Sequence, residues 1–374
     1  MSLVSDDASC GPGNPAGREF ATPAAPRAEA VAAPTRVRPF EERDRAAWNA
    51  FVHAHPDGTF FHQAEWSDVL RRAFGHRPHY LLAERDGGIC AVLPLAEVKS
   101  LLFGHALVST PFCVYGGIVA ADAAGHAALE EAACRLAREL QVDHLEMRNR
   151  RRLHPDWAAK DLYFTFRKPI DPEAERNMLA IPRKQRAMVR KGIKEGLRAE
   201  VDQHFDRHYW MYSSSMRNLG SPIFARRYLE ILKETFGDAC DVVTILKDDD
   251  PVASVLNFYF RDEVLPYYGG GTSRARALAA NDFMYWQVME RARQRGCRVF
   301  DYGRSKRDTG AFDFKTNWGF EPEQLFYEYY LVRRKDMPNL SPSNPRFGAA
   351  IRLWQHLPIR VTQLVGPHVA KYLG

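Results

Sequence analysis

Several chemistries are excluded by what this sequence lacks. Its six cysteines, Cys10, Cys90, Cys113, Cys134, Cys240 and Cys297, are scattered with no CxxC pair. That argues against a disulfide framework or a structural zinc and fits a reducing compartment. No HExxH or paired Cys/His spacing occurs, so no metal is expected, and His53, His55 and His62 read as loop or helix-end residues. GxSxG, Walker and Rossmann fingerprints are absent too, and no cysteine has local support as a nucleophile. No run of about 18 apolar residues is present, so no segment is expected to span a membrane. The amino-terminal residues show neither the basic start nor the apolar stretch of a secretion signal, and a cytoplasmic protein is the expectation. Large apolar groups are scarce in residues 1–35, which are rich in Ala, Pro, Gly and Ser and read as a disordered leader.

What is present is the composition of a soluble globular protein, 45% apolar and 26% charged, in 374 residues. That length exceeds one ordinary hydrophobic core and predicts two domains of roughly 150 residues each. The most organised stretch runs from Leu265 to Pro322. Phe258 to Tyr268 reads as a buried strand closed by Gly269, Gly270 and Gly271. A helix follows, with Asn281 as its expected cap, Met284, Val288 and Ala292 on one apolar face, and Gly296 as its stop. Val299-Phe300 begins another short strand, with Asp301, Arg304, Ser305 and Lys306 at its carboxyl end, where open α/β sheets place ligands.

The same order occurs earlier in the chain. Two strands flank the turn Arg85 to Gly88, a further apolar run reaches Tyr115-Gly116-Gly117, and Leu145-Glu146 closes a later strand. Matching points are spaced by 153 residues (Tyr115 to Tyr268), 155 (Glu146 to Asp301) and 162 (Gly88 to Asp250), which signals a duplicated domain rather than a short-repeat solenoid. The predicted units are 36–160 and 161–335. Only the second has a dense polar and aromatic loop after its last strand, so the chemistry is expected there.

Between the copies, Arg183 to Arg198 holds seven basic residues against Glu195, a local balance of +6 that equals the formal charge of the whole chain. In a helix Arg186, Arg190, Lys194 and Arg198 form one cationic stripe beside Val189, Ile193 and Leu197. Gly192 and Gly196 weaken such a helix by about 1 kcal/mol each relative to Ala. The stripe reads as a solvated face or as a surface for a polyanion.

The basic helix, YYGGGT, AANDFMYW and DYGRSK…FKTNWGFEP together resemble the FemAB-like transferases, over residues 36 to 335 and most strongly in the second half. The likeness is closest to the branch associated with exosortase/PEP-CTERM and exopolysaccharide systems. It implies an α/β fold of two tandem GNAT-like (acyl-CoA N-acyltransferase) domains, with mixed sheets and flanking helices. It also implies transfer of an acyl or aminoacyl group to an amine of a cell-envelope or exopolysaccharide precursor, small or lipid-linked. No cofactor is expected to be resident, and the donor implied is aminoacyl-tRNA or acyl-coenzyme A. No [QR]xxGx[GA] loop opens a helix to hold a pyrophosphate. Acyl transfer creates an oxyanion, and the resemblance places the FK lysine, Lys315, where it would stabilise that charge. Asp301 is a general base, a positioner of the amine, or an ion-pair partner of Arg304. Arg304, Phe314, Tyr267, Tyr268, Gly269 and Trp318, with Lys184, Arg186, Arg190 and Lys194 of the basic helix, are the expected substrate contacts. The aromatic ones read equally as core.

After Asp336 a Pro and Asn-rich link leads to short helices broken by Pro358 and Pro367, with Ile351, Trp354, Leu357, Val361, Leu364, Val365 and Val369 on an apolar face. This tail either packs on its own domain or lies at the inner membrane face as a peripheral contact. The alternative from another functional class is a catalytically silent nucleic-acid-binding protein that uses helix 183–198.

Overall fold

The computed structural model describes residues 34–337 and 348–373. The expected leader and most of the Pro and Asn-rich link lie outside the described residues. Within them the fold is mixed α/β, and each half repeats one strand order. In the first half Arg36–Pro39, Leu81–Arg85, a strand interrupted at Pro94 (Gly88–Leu93, then Leu95–Ser100) and Gly104–Ser109 run antiparallel. His144–Asn149 then lies parallel to Gly104–Ser109, with Ala106 opposite His144. In the second half Arg198–Val201, Cys240–Lys247, Asp250–Phe260 and Glu263–Gly271 are antiparallel, and Val299–Asp301 lies parallel to the last of these.

Each half is completed by a strand from outside the run that builds it. Phe326–Leu331 pairs antiparallel with His144–Asn149, while Tyr163–Pro169 pairs antiparallel with Val299–Asp301. The strand that follows the first half in sequence thus belongs to the second sheet, and the last strand returns to the first. Phe326–Leu331 therefore crosses the expected 160/161 boundary, whereas Tyr163–Pro169 keeps to it. A shared aromatic core lies between the halves, with Trp48, Phe60, Phe61 and Tyr115 from the first against Phe258, Tyr268 and Tyr327. Burial of rings of this size dominates core energetics, at roughly 25 cal/mol per Å2 of apolar surface.

Local chemistry explains most elements. Asp86 (φ 52°) and Gly87 (φ 77°) make the left-handed two-residue turn of the first hairpin. Asp122 accepts from the Gly125 amide and starts the helix Ala123–Glu139. The central helix differs from expectation at its start: it spans Ala280–Gln294 and is preceded by Ala279 in a left-handed conformation (φ 54°), with no side-chain cap. Asn281 sits inside its first turn, because the turn over residues 272–279 wraps back so that the Ala280 amide bonds the Ala275 carbonyl. Gly296 (φ 81°) follows its carboxyl end as expected.

The helices Gly348–His356 and Ile359–Ala370 pack on the protein itself. The Trp354 indole donates to the Ser221 carbonyl, Gln363 donates to Ser213, and a Cβ at Gly366 would lie 2.8 Å from Ile223. Among the described residues no helix is long and apolar enough to cross a membrane.

Candidate active site

Two parting strands open the site. Glu263–Gly271 and Val299–Asp301 pair only at Glu263 with Val299 and Val264 with Phe300. Just beyond, Pro266 has no N–H to donate, and the register with Asp250–Phe260 slips so that Tyr267 becomes the extra residue of a bulge. The gap is filled by aromatic rings. Tyr285 and Tyr302 have centroids 4.6 Å apart, with Phe314 5.8 Å from Tyr285. A Cβ at Gly269 would come within 3.3 Å of the Tyr285 hydroxyl, so the glycine keeps the strand close to these rings. The Tyr302 hydroxyl and the Ser305 hydroxyl are buried with no hydrogen-bond partner among the described residues. Buried polar groups are nearly always satisfied, which makes these two open positions for a ligand.

At the carboxyl end of Val299–Asp301 the chain turns, and two charged groups hold the turn. Asp301 is fully buried and accepts from the Tyr115 hydroxyl (2.8 Å), the Gly303 amide (2.9 Å) and the Arg167 guanidinium (3.0 Å). Its ion-pair partner is thus Arg167, not Arg304, because Gly303 (φ 65°) turns the chain and sends Arg304 the other way. Lys315 lies in the helix Gly310–Asn317, whose first turn is capped by Thr309. Its Nζ donates to the carbonyls of Gly303 (3.0 Å) and Arg304 (3.1 Å) and lies over the rings of Phe166 and Tyr302. Burial pushes its pKa down to about 7, opposed by the nearby Asp301 charge.

Arg304 lines a cavity of about 880 Å3. It donates to the Tyr327 hydroxyl at 2.8 Å and is held between the rings of Tyr163 and Tyr327. The floor of this cavity is the first-half sheet, with His144, Glu146, Arg148 and Lys160, and Lys306 joins it from the second half. Arg148 pairs with Glu146 at 2.8 Å and also donates to the Cys113 carbonyl, so that pair is internally satisfied. Lys160 has neither an ion pair nor a hydrogen bond among the described residues; it lies 4.8 Å from the Tyr329 ring, and burial lowers its pKa. His144 is buried with Nδ1 unpartnered among the described residues.

The structure thus joins Asp301, Arg304 and Lys315 through one turn, with Gly269 and Phe314 at the neighbouring gap. The remaining expected contacts lie elsewhere. Trp318 is fully buried and donates to Asp282 at 2.9 Å, Tyr268 is buried with its hydroxyl 3.0 Å from that of Tyr228, and Tyr267 donates to the Phe112 carbonyl. These three serve the core and the contact between halves. The basic helix spans Arg183–Lys194; Lys184, Arg190 and Lys194 are exposed, Arg186 is half-buried, and none of the four has an ion pair among the described residues. Arg198 lies past its end, in a strand, paired with Glu200 and Asp249, so the stripe is shorter than expected. Pro182, just before this helix, is within 3.1 Å of a Cβ position at Gly319, so the helix starts beside the turn after Lys315. Of the histidines, His62 is buried between Thr59 and the Gly117 carbonyl, with its pKa pushed down to about 4 by burial. Tyr115, His144, Lys160, Tyr163 and Tyr327 were not singled out as site residues from sequence. Tyr115 stood in plain view in the YGG repeat, where it marked the duplication only.

This architecture is shared with known proteins. Residues 183–316 match the profile of the Acetyltransferase (GNAT) domain. The fold of FemX aligns with a TM-score of 0.62 at 15% identity, covering 80% of this chain and 98% of FemX. A tandem GNAT protein from the clavulanic acid biosynthesis pathway aligns with a TM-score of 0.52 at 11% identity, over 81% of this chain and all of that one. The C-terminal domain of a putative lysylphosphatidylglycerol synthetase from Agrobacterium fabrum aligns with a TM-score of 0.52 at 13% identity, over 84% and 95% of the two chains. No curated protein sequence matches significantly. The GNAT match over residues 183–316 supports an acyltransferase, in a fold shared with a tandem GNAT protein. The structural likenesses show a fold shared with FemX and with tandem GNAT proteins.

Proposed function

We propose that the protein transfers an acyl or aminoacyl group to an amine of a cell-envelope or exopolysaccharide precursor, as in the branch of FemAB-like proteins associated with exosortase systems. The observation that carries this reading is the turn of residues 301–304, which fixes a buried lysine on one side and brings Arg304 to the lining of the 880 Å3 cavity on the other. The attacking nitrogen adds to the donor carbonyl and gives up a proton, which the leaving oxygen or sulfur takes up. The tetrahedral oxyanion then collapses, expelling a ribose oxygen if the donor is aminoacyl-tRNA or a thiolate if it is acyl-coenzyme A. Lys315 supplies positive charge to that oxyanion and Asp301 holds the turn in place. Loss of one such donor typically costs about 2.7–4 kcal/mol of transition-state stabilisation. Arg304 and Lys160 are suited to an anionic acceptor. The cations of Arg183–Lys194, without ion pairs among the described residues, are suited to a polyanionic donor such as tRNA, and they are also the feature a nucleic-acid-binding protein would use. The reading places the protein in the cytoplasm, at the inner face of the membrane.

Mass spectrometry of candidate amines incubated with protein and either charged tRNA or acyl-coenzyme A tests this. A mass increase equal to the acyl group, dependent on one donor, is expected. Nucleic-acid binding without transfer to any amine would favour the alternative.

A further inference from the structure

The cavity opens beside a surface that is unusual for a water-facing one. Leu101 and Leu102 form the tip of the hairpin built by Leu95–Ser100 and Gly104–Ser109, and they are 107% and 87% exposed. The next residues, Phe103 and Gly104, line the cavity itself, as do Met337, Tyr372 and Leu373 from the opposite side. Two adjacent, fully exposed leucines on a tip gain nothing from water and are not needed for the turn, whose amides at Leu102 and Phe103 are bonded by the Ser100 hydroxyl.

Cations outnumber carboxylates around this tip by five to four, and two of the four carboxylates are held by neighbouring side chains. Lys99 is exposed on the hairpin, and Arg333, Arg334 and Lys335 follow Phe326–Leu331 on the same side; the Arg334 guanidinium is 3.7 Å from a Cβ position at Gly104. Lys371 sits at the end of the last described helix, where its carbonyl is 2.6 Å from His76. The facing carboxylates are Glu97, held by His105 and His79, and Asp143, beside Arg334, with Asp161 and Asp336 exposed. An apolar tip flanked by cations matches an anionic bilayer: the leucines enter the acyl boundary and the cations meet lipid phosphates.

We infer that the hairpin tip Leu101-Leu102 and the neighbouring cations dock the protein on an anionic membrane, so that the cavity mouth faces the lipid headgroups. Behind the mouth, the side chain of Lys160 and Nδ1 of buried His144, neither with a hydrogen-bond partner among the described residues, are open to an anionic headgroup. The acceptor is then presented as a membrane amphiphile, with its tail in the bilayer and its polar head beside Arg304. This part rests on the transfer reading above, whereas membrane docking does not.

The test is co-flotation of the full chain with vesicles of phosphatidylcholine alone and of phosphatidylcholine with about one third phosphatidylglycerol, at about 0.1 M salt. Wild type should float with the anionic vesicles and be released as salt is raised. Leu101→Glu/Leu102→Glu should lower vesicle affinity on the order of tenfold or more, because two apolar contacts are lost and two like charges are added. The tip touches no core, so its thermal melt should match wild type. Leu353→Glu/Leu364→Glu, at two exposed leucines on the helices Gly348–His356 and Ile359–Ala370, serves as a charge-matched control and should bind as wild type does. Failure of wild type to float with anionic vesicles, or equal loss in the control, overturns the docking surface. Transfer to a water-soluble amine is measured in parallel: its absence with intact docking would count against the transfer reading alone.

Discussion

The Tyr115 hydroxyl donates to Asp301 at 2.8 Å, across 186 positions of sequence, so a side chain of the first half helps hold the carboxylate that shapes the site in the second. Thr165 contacts both, with its hydroxyl 2.5 Å from that of Tyr115. Tyr115→Phe keeps the ring and removes this bond inside a buried cluster. It should destabilise the fold by about 1–3 kcal/mol, the cost of leaving buried polar groups unmatched. Turnover should also fall if the 301–304 turn loosens. Chemical denaturation and initial rates on the same protein check both, and an unchanged midpoint would show that the contact between halves carries no energy.

How much of this was legible in sequence depends on how local the cause is. The first hairpin could be read from Asp86-Gly87, because a two-residue turn requires left-handed φ there. The hairpin and later strands of each half followed from patterning and spacing, but Arg198–Val201, the strand that opens the second half, did not, since Arg198 was read as part of the basic helix. The return of Phe326–Leu331 to the first sheet did not either, since it is an apolar and aromatic strand and nothing local says which edge it will find. At the site, Lys315, Arg304 and Asp301 were marked by motif. Lys160 and His144 reach the cavity only through pairing that joins strands from both halves, and no pattern within either half points at them.

Gly192 shows a local cost with a tertiary cause. A Cβ there would lie 2.7 Å from the Phe283 Cβ, where the basic helix crosses Ala280–Gln294. Gly192→Ala should gain about 1 kcal/mol of helix propensity yet lose about 1–3 kcal/mol through overpacking, for a net loss. Gly196→Ala should also destabilise, because Gly196 adopts φ 71°. A higher melting temperature for Gly192→Ala would mean that the two helices can slide apart at little cost.

The cations of the basic helix should act through charge alone. Replacing Arg186, Arg190 and Lys194 together by Gln should raise the Michaelis constant for a tRNA donor, and the difference from wild type should shrink as salt rises. Melting should barely move, since none of the three has an ion pair among the described residues to lose. Equal Michaelis constants at low salt would leave this stripe as a solvated face.

Lys315 carries the sharpest expectation, because its environment opposes the charge assigned to it. Burial lowers its pKa from 10.5 to about 7. Between those values the unfolded chain keeps a proton that the folded protein has released. The penalty for burying this lysine is therefore largest below pH 7 and is relieved as pH rises, at no more than about 1.4 kcal/mol per pH unit. Lys315→Met should gain stability relative to wild type at pH 6, and that advantage should be visibly smaller by pH 9, in paired thermal melts. For catalysis, Lys315→Ala should lower turnover on the order of 10²–10³ with little change in the Michaelis constant, as for an interaction made mainly in the transition state. If the charged form is the active one, kcat/KM should fall as pH rises through about 7. Lys315→Arg should show partial activity without that falling limb, because a guanidinium keeps its proton. The acceptor amine contributes its own rising limb to both proteins, so the comparison between them isolates Lys315. A wild-type profile that only rises through pH 7, with an inactive but folded Lys315→Arg, would instead make the neutral amine the working form and Lys315 a proton acceptor.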